Sequence, residues 1–109
     1  MLRKIECFLS PGKIDPMRDM LVRKGIEGMS LIQAQGFGTR SKVDKKGMPV
    51  LEERVKIEIV VEESRVDEIV GEIQTLAGIG VIGVGKVFVL PVEDAVRLST
   101  REAGKSAIF

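Results

Sequence analysis

Val55-Lys56-Ile57-Glu58-Ile59-Val60-Val61 and the following stretch, Ser64 to Ala77, decide the fold. The first seven residues put Val55, Ile57, Ile59 and Val61 on one side and Lys56, Glu58 and Val60 on the other, the period of two of a half-buried strand. Val66, Ile69, Val70, Ile73 and Leu76 then fall at helical spacing and predict a helix over about 65–77. Ser64 and Asp67 form a weak capping box before it. After a glycine-rich connector, Lys86 to Leu90 reads as a strand stopped by Pro91.

The same order stands earlier in the chain. Leu2 to Leu9 is a strand with Ile5, Cys7 and Leu9 on one face, broken by Ser10-Pro11-Gly12. Asp15 and Pro16 read as N-cap and first residue of a helix that carries Met17, Met20 and Leu21 and is capped by Gly25. Met29 to Gln35 is the next strand, and Lys4-Ile5-Glu6 echoes Lys56-Ile57-Glu58. A double βαβ of this length predicts an α+β, ferredoxin-like fold, with one antiparallel sheet covered by two helices. We expect one domain over 1–109, with 92–109 adding a short strand and a tail.

Composition excludes whole classes of chemistry. The 109 residues include no His, Trp or Tyr and one Cys. That removes imidazole acid–base chemistry, His-dependent nucleophiles and four-cysteine zinc sites. Seventeen Lys and Arg balance sixteen Asp and Glu, a net +1, which argues against nucleic acid as partner. No apolar run approaches the roughly 20 residues of a membrane span, and no signal peptide is visible, so we expect a cytoplasmic protein without direct membrane insertion.

Between the halves, about 37–54 lacks any apolar period. From Gly38 to Val55, five cations (Arg40, Lys42, Lys45, Lys46, Arg54) face three carboxylates (Asp44, Glu52, Glu53), a local net of +2. Such a loop is a floppy excursion or a recognition arm for a protein partner, with Arg40, Lys42, Lys45, Lys46, Glu52 and Glu53 as its contact residues.

Gly78 to Lys86 holds four glycines in eight positions ahead of a lysine. Backbone amides in such turns form anion nests, and Lys86 adds a charge for phosphate. The stretch spells both a dinucleotide fingerprint and a Walker A loop, but no helix follows and Val87 stands where Ser or Thr would hold magnesium, so both are rejected. A plain connector is the competing reading. Gly36-Phe37-Gly38 is a second glycine pair, and Arg97 with Lys86 and Arg40 could complete a phosphate clamp.

These pieces together resemble the PII signal-transduction proteins of nitrogen regulation, nearly end to end. Lys4-Ile5-Glu6, Gly25 to Ser30, Gly36-Phe37-Gly38, Val55 to Val61, Ile82 to Glu93, Arg97-x-x-Thr100-x-Glu102 and Ala107-Ile108 carry the likeness. The resemblance implies a homotrimer with adenine nucleotide (ATP, ADP or AMP) bound in intersubunit clefts. It also implies that the middle segment is a T-loop that docks on a transporter, enzyme or regulator. On it, Ser30 and Val60 lie near adenine. Gly36, Gly38, Thr39 and Arg40 form the loop base at the phosphates. Gly83, Val84, Gly85 and Lys86 hold phosphates, with Arg97, Ser99 and Thr100 reaching in.

The departures are informative. Without Tyr, tyrosine uridylylation is impossible; Ser41 is a loop residue that could be modified instead, against the plain reading of a solvated serine. Thr39-Arg40 replaces the usual Arg-Gln, which argues against Mg-ATP-dependent 2-oxoglutarate binding. Val84 replaces an Asp and Ser99 an Arg, so ADP or AMP should bind at least comparably to ATP. Similar losses occur in branches tied to bicarbonate, carboxysomes or metal export. We therefore expect a nucleotide-sensing regulator and not an enzyme, with nitrogen metabolism the default pathway. The alternatives are a weak nucleotide hydrolase using Glu58 or Glu93, and a Cu(I) binder using Cys7 and methionines.

Overall fold

A computed structural model describes residues 1–38, 41–78 and 85–108. Its elements are β1 (Leu2–Leu9), α1 (Ile14–Arg23), β2 (Ser30–Gly36), β3 (Glu52–Glu62), α2 (Val66–Ala77) and β4 (Lys86–Val92), with 3-10 turns at Pro11–Lys13, Glu63–Arg65 and Gly104–Ile108. The strands form one antiparallel sheet in the order β2-β3-β1-β4. That is the ferredoxin-like arrangement: the two βαβ units interleave, so β1 and β3 sit side by side at the centre.

The alternation read from the sequence builds the core. Ile5, Cys7 and Leu9 of β1 lie opposite Ile59, Ile57 and Val55 of β3. All are buried, under Met17, Met20 and Leu21 of α1 and Ile69 and Ile73 of α2. Burial pushes the Cys7 thiol up to about 11, so it stays protonated and serves as a small apolar group. Cys7, Met17 and Met20 are core fillers, which leaves the Cu(I) alternative without accessible sulfur at these positions.

The two halves repeat in three dimensions at the 52-residue offset that relates Lys4-Ile5-Glu6 to Lys56-Ile57-Glu58. Ser10 and Glu62 leave their strands with φ/ψ of −69/150 and −68/146. Lys13 and Arg65 enter their helices at −95/0 and −100/−4. Met17 and Leu21 occupy the buried places that Ile69 and Ile73 hold in the second half.

This shared junction corrects the expected helix starts. Each helix is entered through a 3-10 turn, so Asp15 and Pro16 lie inside the first turn of α1, and Ser64 lies in the turn before α2; neither helix has a side-chain N-cap. Asp15 still favours its end of the helix dipole. The α1 end is as expected. Gly25, at φ 75, allows Ile26 N–H to reach Leu21 O at 2.9 Å and Gly25 N–H to reach Val22 O at 3.0 Å, a Schellman closure.

Pro91 does not stop β4, which runs on to Val92. It pairs with Arg3 in an edge strand, where a missing N–H is tolerated. Residues past Val92 form no further strand among those described. They fold back through a bridge between Val96 and Ala103 and end in a 3-10 turn.

Candidate functional site

The sheet face away from the helices carries polar and aromatic groups at the same period of two. Lys4, Glu6 and Phe8 of β1 lie beside Val60, Glu58 and Lys56 of β3 and Leu90, Phe88 and Lys86 of β4, with Ser30 and Ile32 of β2 beyond β3. Glu6 and Glu58 are directly opposite, a repulsive pairing. Lys4 resolves it, its ammonium lying 3.0 Å from Glu6 and 2.9 Å from Glu58. The hydrogen bond to Glu58, then the one to Glu6, raises the Lys4 pKa; the same bond holds the Glu58 carboxyl below its usual range. Lys56 adds a contact to Glu58 at 3.7 Å. A carboxylate so committed is a poor proton acceptor, which weakens the hydrolase alternative at Glu58. Phe8 and Phe88 meet edge to face at 6.3 Å beside this cluster.

The expected ligand residues fall at three separate places. Gly85 and Lys86 stand where β4 begins, with Lys86 paired to Phe8 and exposed. Ser30, Gly36 and Gly38 belong to β2 and its exit, on the opposite edge of the sheet. Three strand spacings separate those edges, roughly 14 Å. Arg97, Ser99 and Thr100 lie beyond the far end of β4, whose seven residues span about 20 Å. The expected clamp of Lys86 with Arg97 is therefore not assembled within one chain. Thr39, Arg40, Gly83 and Val84 lie outside the described residues. Val60 lines a shallow pocket with Gly25, Ile26, Glu62, Arg65 and Ile108, at the end of the sheet where β4 finishes.

Gly85 has a structural duty of its own. Its φ is 123, and a Cβ there would collide with the Phe8 carbonyl oxygen and stand 3.1 Å from the Phe8 carbonyl carbon. The close approach that the glycine permits is to β1 of the same chain.

The middle segment between β2 and β3 is more ordered at its tip than a floppy excursion. One carboxylate oxygen of Asp44 accepts the N–H groups of Lys46 at 2.8 Å and Met48 at 3.0 Å. Asp44 N–H donates to Met48 O at 2.8 Å, Gly47 N–H to Asp44 O at 3.0 Å and Val50 N–H to Lys42 O at 2.8 Å. Val43 and Pro49 bridge across this small hairpin. At the base, Gly38 N–H donates to Ser41 Oγ at 2.7 Å. Asp44-Lys45-Lys46-Gly47, with Asp first and Gly fourth, is a turn signature that reveals this tip in the sequence.

The contact residues expected on this arm divide. Lys42, Lys45 and Lys46 are exposed at the tip beside Val43 and Met48. Glu52 and Glu53 are instead the first residues of β3, paired with Gly36 and Gln35. Arg54 bonds the Glu52 carboxylate at 2.5 Å and the Glu53 carbonyl at 2.8 Å. Lys42, Lys45 and Lys46 against Asp44 leave the tip a net +2, since Glu52 is paired with Arg54 in β3.

The Asp44 latch makes a local prediction. Asp44→Ala should speed hydrogen exchange at the Lys46 and Met48 amides severalfold while the strand amides stay protected. Asp44→Asn, which keeps an acceptor oxygen, should restore most of that protection. Equal exchange in all three proteins would show that the tip does not depend on Asp44.

Among the described residues no helix is long and apolar enough to cross a membrane. The family model described as nitrogen regulatory protein P-II matches residues 2–102. The nitrogen regulatory protein P-II of Azospirillum brasilense is 38% identical over 112 residues, covering 98% of this chain and all of that one. That of Synechocystis sp. is 37% identical over the same shares. Among solved structures, Arabidopsis thaliana PII bound to citrate superposes with a TM-score of 0.82 at 34% identity, covering 97% of this chain and 91% of that one.

Proposed function

The chain belongs to the nitrogen regulatory protein P-II family, and on that premise we propose that it is a cytoplasmic signal-transduction regulator. In this reading it binds an adenine nucleotide in clefts between the subunits of a homotrimer. Occupancy is reported through the T-loop, about 37–54, to a protein partner, with nitrogen metabolism the default setting. The partner is a transporter, an enzyme or a regulator. Each subunit is one domain over 1–109.

The observation that carries this reading is the scatter of the ligand residues. Gly85 and Lys86, the glycine pair of β2, and Arg97 occupy two edges and two ends of one sheet. A site that uses all of them is incomplete in one chain and needs donors from a second copy. The donors expected, backbone amides with Lys86, Arg97 and Arg40, suit a polyanion and offer no general base. The Arabidopsis relative holds citrate, itself a small polyanion. Ser30 and Val60, on the open face of β2 and β3, are the proposed neighbours of adenine; Thr39, Gly83, Val84, Ser99 and Thr100 complete the phosphate end.

Calorimetry with ATP, ADP and AMP, alongside sedimentation, tests this. A trimer should bind ADP or AMP at least comparably to ATP, because Ser99 offers no second guanidinium to the distal phosphate. Lys86→Ala should weaken every phosphorylated ligand about tenfold, the loss of one charge-assisted bond. A monomer that binds no nucleotide would overturn the reading. Tight ATP with no ADP or AMP binding would overturn the selectivity.

A further inference from the structure

The segment after β4 closes into a hairpin by its own backbone. Arg97 N–H donates to Glu102 O at 2.7 Å, Arg101 N–H to Arg97 O at 2.8 Å and Gly104 N–H to Ala95 O at 2.8 Å. Asp94 adds a latch by accepting the N–H groups of Ala95 at 2.8 Å and Gly104 at 3.0 Å. Glu102 contributes its carbonyl to this closure, and its side chain takes no part in it.

That side chain faces Arg97. The carboxylate oxygen of Glu102 that accepts the Thr100 hydroxyl at 2.8 Å lies 3.6 Å from Arg97 Nε. This is an ion pair too long to be a hydrogen bond. Arg97 Nε is itself shut off from solvent and has no hydrogen-bond partner among the described residues. A donor held in that state is costly, and a better acceptor would relieve it. Phosphate oxygens are such acceptors, since guanidinium binds them through short, paired bonds. An ion pair with both partners a third or more exposed is weak and readily exchanged.

We propose that Glu102 is the internal counter-anion that Arg97 exchanges for phosphate, and that it thereby sets the affinity and phosphate-number discrimination of the nucleotide site. This rests on the nucleotide reading above. The carboxylate holds Arg97 ready in the empty protein. It also competes with the ligand, so it opposes most strongly the ligands that need Arg97 most.

Titration of the full-length protein with ATP, ADP and AMP tests it. Glu102→Gln keeps an acceptor for Thr100 and removes the charge. It should tighten ATP about threefold to fivefold, ADP less and AMP least, the range that an exposed ion pair supports. In an Arg97→Ala background the same change should have no effect, because the cycle isolates the pair. Asp19→Asn, which removes an exposed charge on α1, should leave all three affinities unchanged. A gain that survives Arg97→Ala, a gain equal for all three ligands, or weaker binding in Glu102→Gln would overturn the proposal. Nucleotide binding that Glu102→Gln does not alter would overturn it alone. Failure of the unaltered protein to bind any of the three would overturn it together with the site reading.

Discussion

Gly85→Ala is expected to lower the melting temperature by about 8 °C or more, measured by circular dichroism. Two costs add. A side chain at φ 123 is strained by roughly 1–3 kcal/mol. The added methyl also meets the Phe8 carbonyl, a backbone atom that β1 cannot move without disturbing its pairing to both β3 and β4. Overpacking of that kind costs about 1–3 kcal/mol more. For a chain of this size each kcal/mol is worth about 4–8 °C. Gly12→Ala, where a Cβ meets nothing within 4 Å, is the control and should melt within a few degrees of the unaltered protein. A Gly85→Ala protein that melts like the control would sink the argument. The same geometry warns that lost ligand binding in Gly85→Ala would report a damaged sheet edge. Lys86, exposed at the start of β4, is the residue to change when phosphate binding is the question.

Gly85 also marks where sequence reasoning stops. A glycine-rich stretch before a lysine suggests room for a ligand, but the neighbour that demands this glycine is Phe8, seventy-seven positions away and visible only once β1 and β4 pair. The strands and helices were legible because alternation and helical spacing are local. The duplication was legible too, since Lys4-Ile5-Glu6 and Lys56-Ile57-Glu58 mark places that correspond in the two halves. The helix starts are hidden because Asp15 and Ser64 carry good cap chemistry within two residues of Lys13 and Arg65, the N-cap positions that the 3-10 entry sets. Pro91 was misread as a stop because edge position depends on the strand order. The scatter of the ligand residues is invisible to local spacing; it follows only from the ferredoxin-like strand order, which makes β2 and β4 the outer strands. Glu102 stood inside a recognised stretch, yet its relation to Arg97 required the hairpin.

Deleting residues 41–52 is expected to abolish capture of the T-loop partner while leaving the sheet intact. The deletion removes the Asp44 hairpin with Lys42, Lys45 and Lys46, and none of the buried core residues lies within it. The join is geometrically mild. Gln35 and Glu53 are paired across β2 and β3, so Gly36 to Arg40 would become a five-residue hairpin loop, within the usual range. The melting temperature should therefore shift by a few degrees at most, and nucleotide affinity by less than about threefold. Nucleotide binding should survive because Lys86 and Arg97, on β4 and beyond it, are untouched, and because Gly38, Thr39 and Arg40, the proposed donors of the loop base, stay in the shortened chain. Arg54 would lose its Glu52 partner, a half-buried pair at the edge of the sheet worth about 1 kcal/mol. Pull-downs from native lysate with and without ADP or ATP, using the unaltered and the shortened protein, provide the comparison. A protein retained by both forms does not use the T-loop. A band held by the unaltered protein, released on changing the nucleotide and absent from the shortened form, is the result that ties the ligand site to the arm.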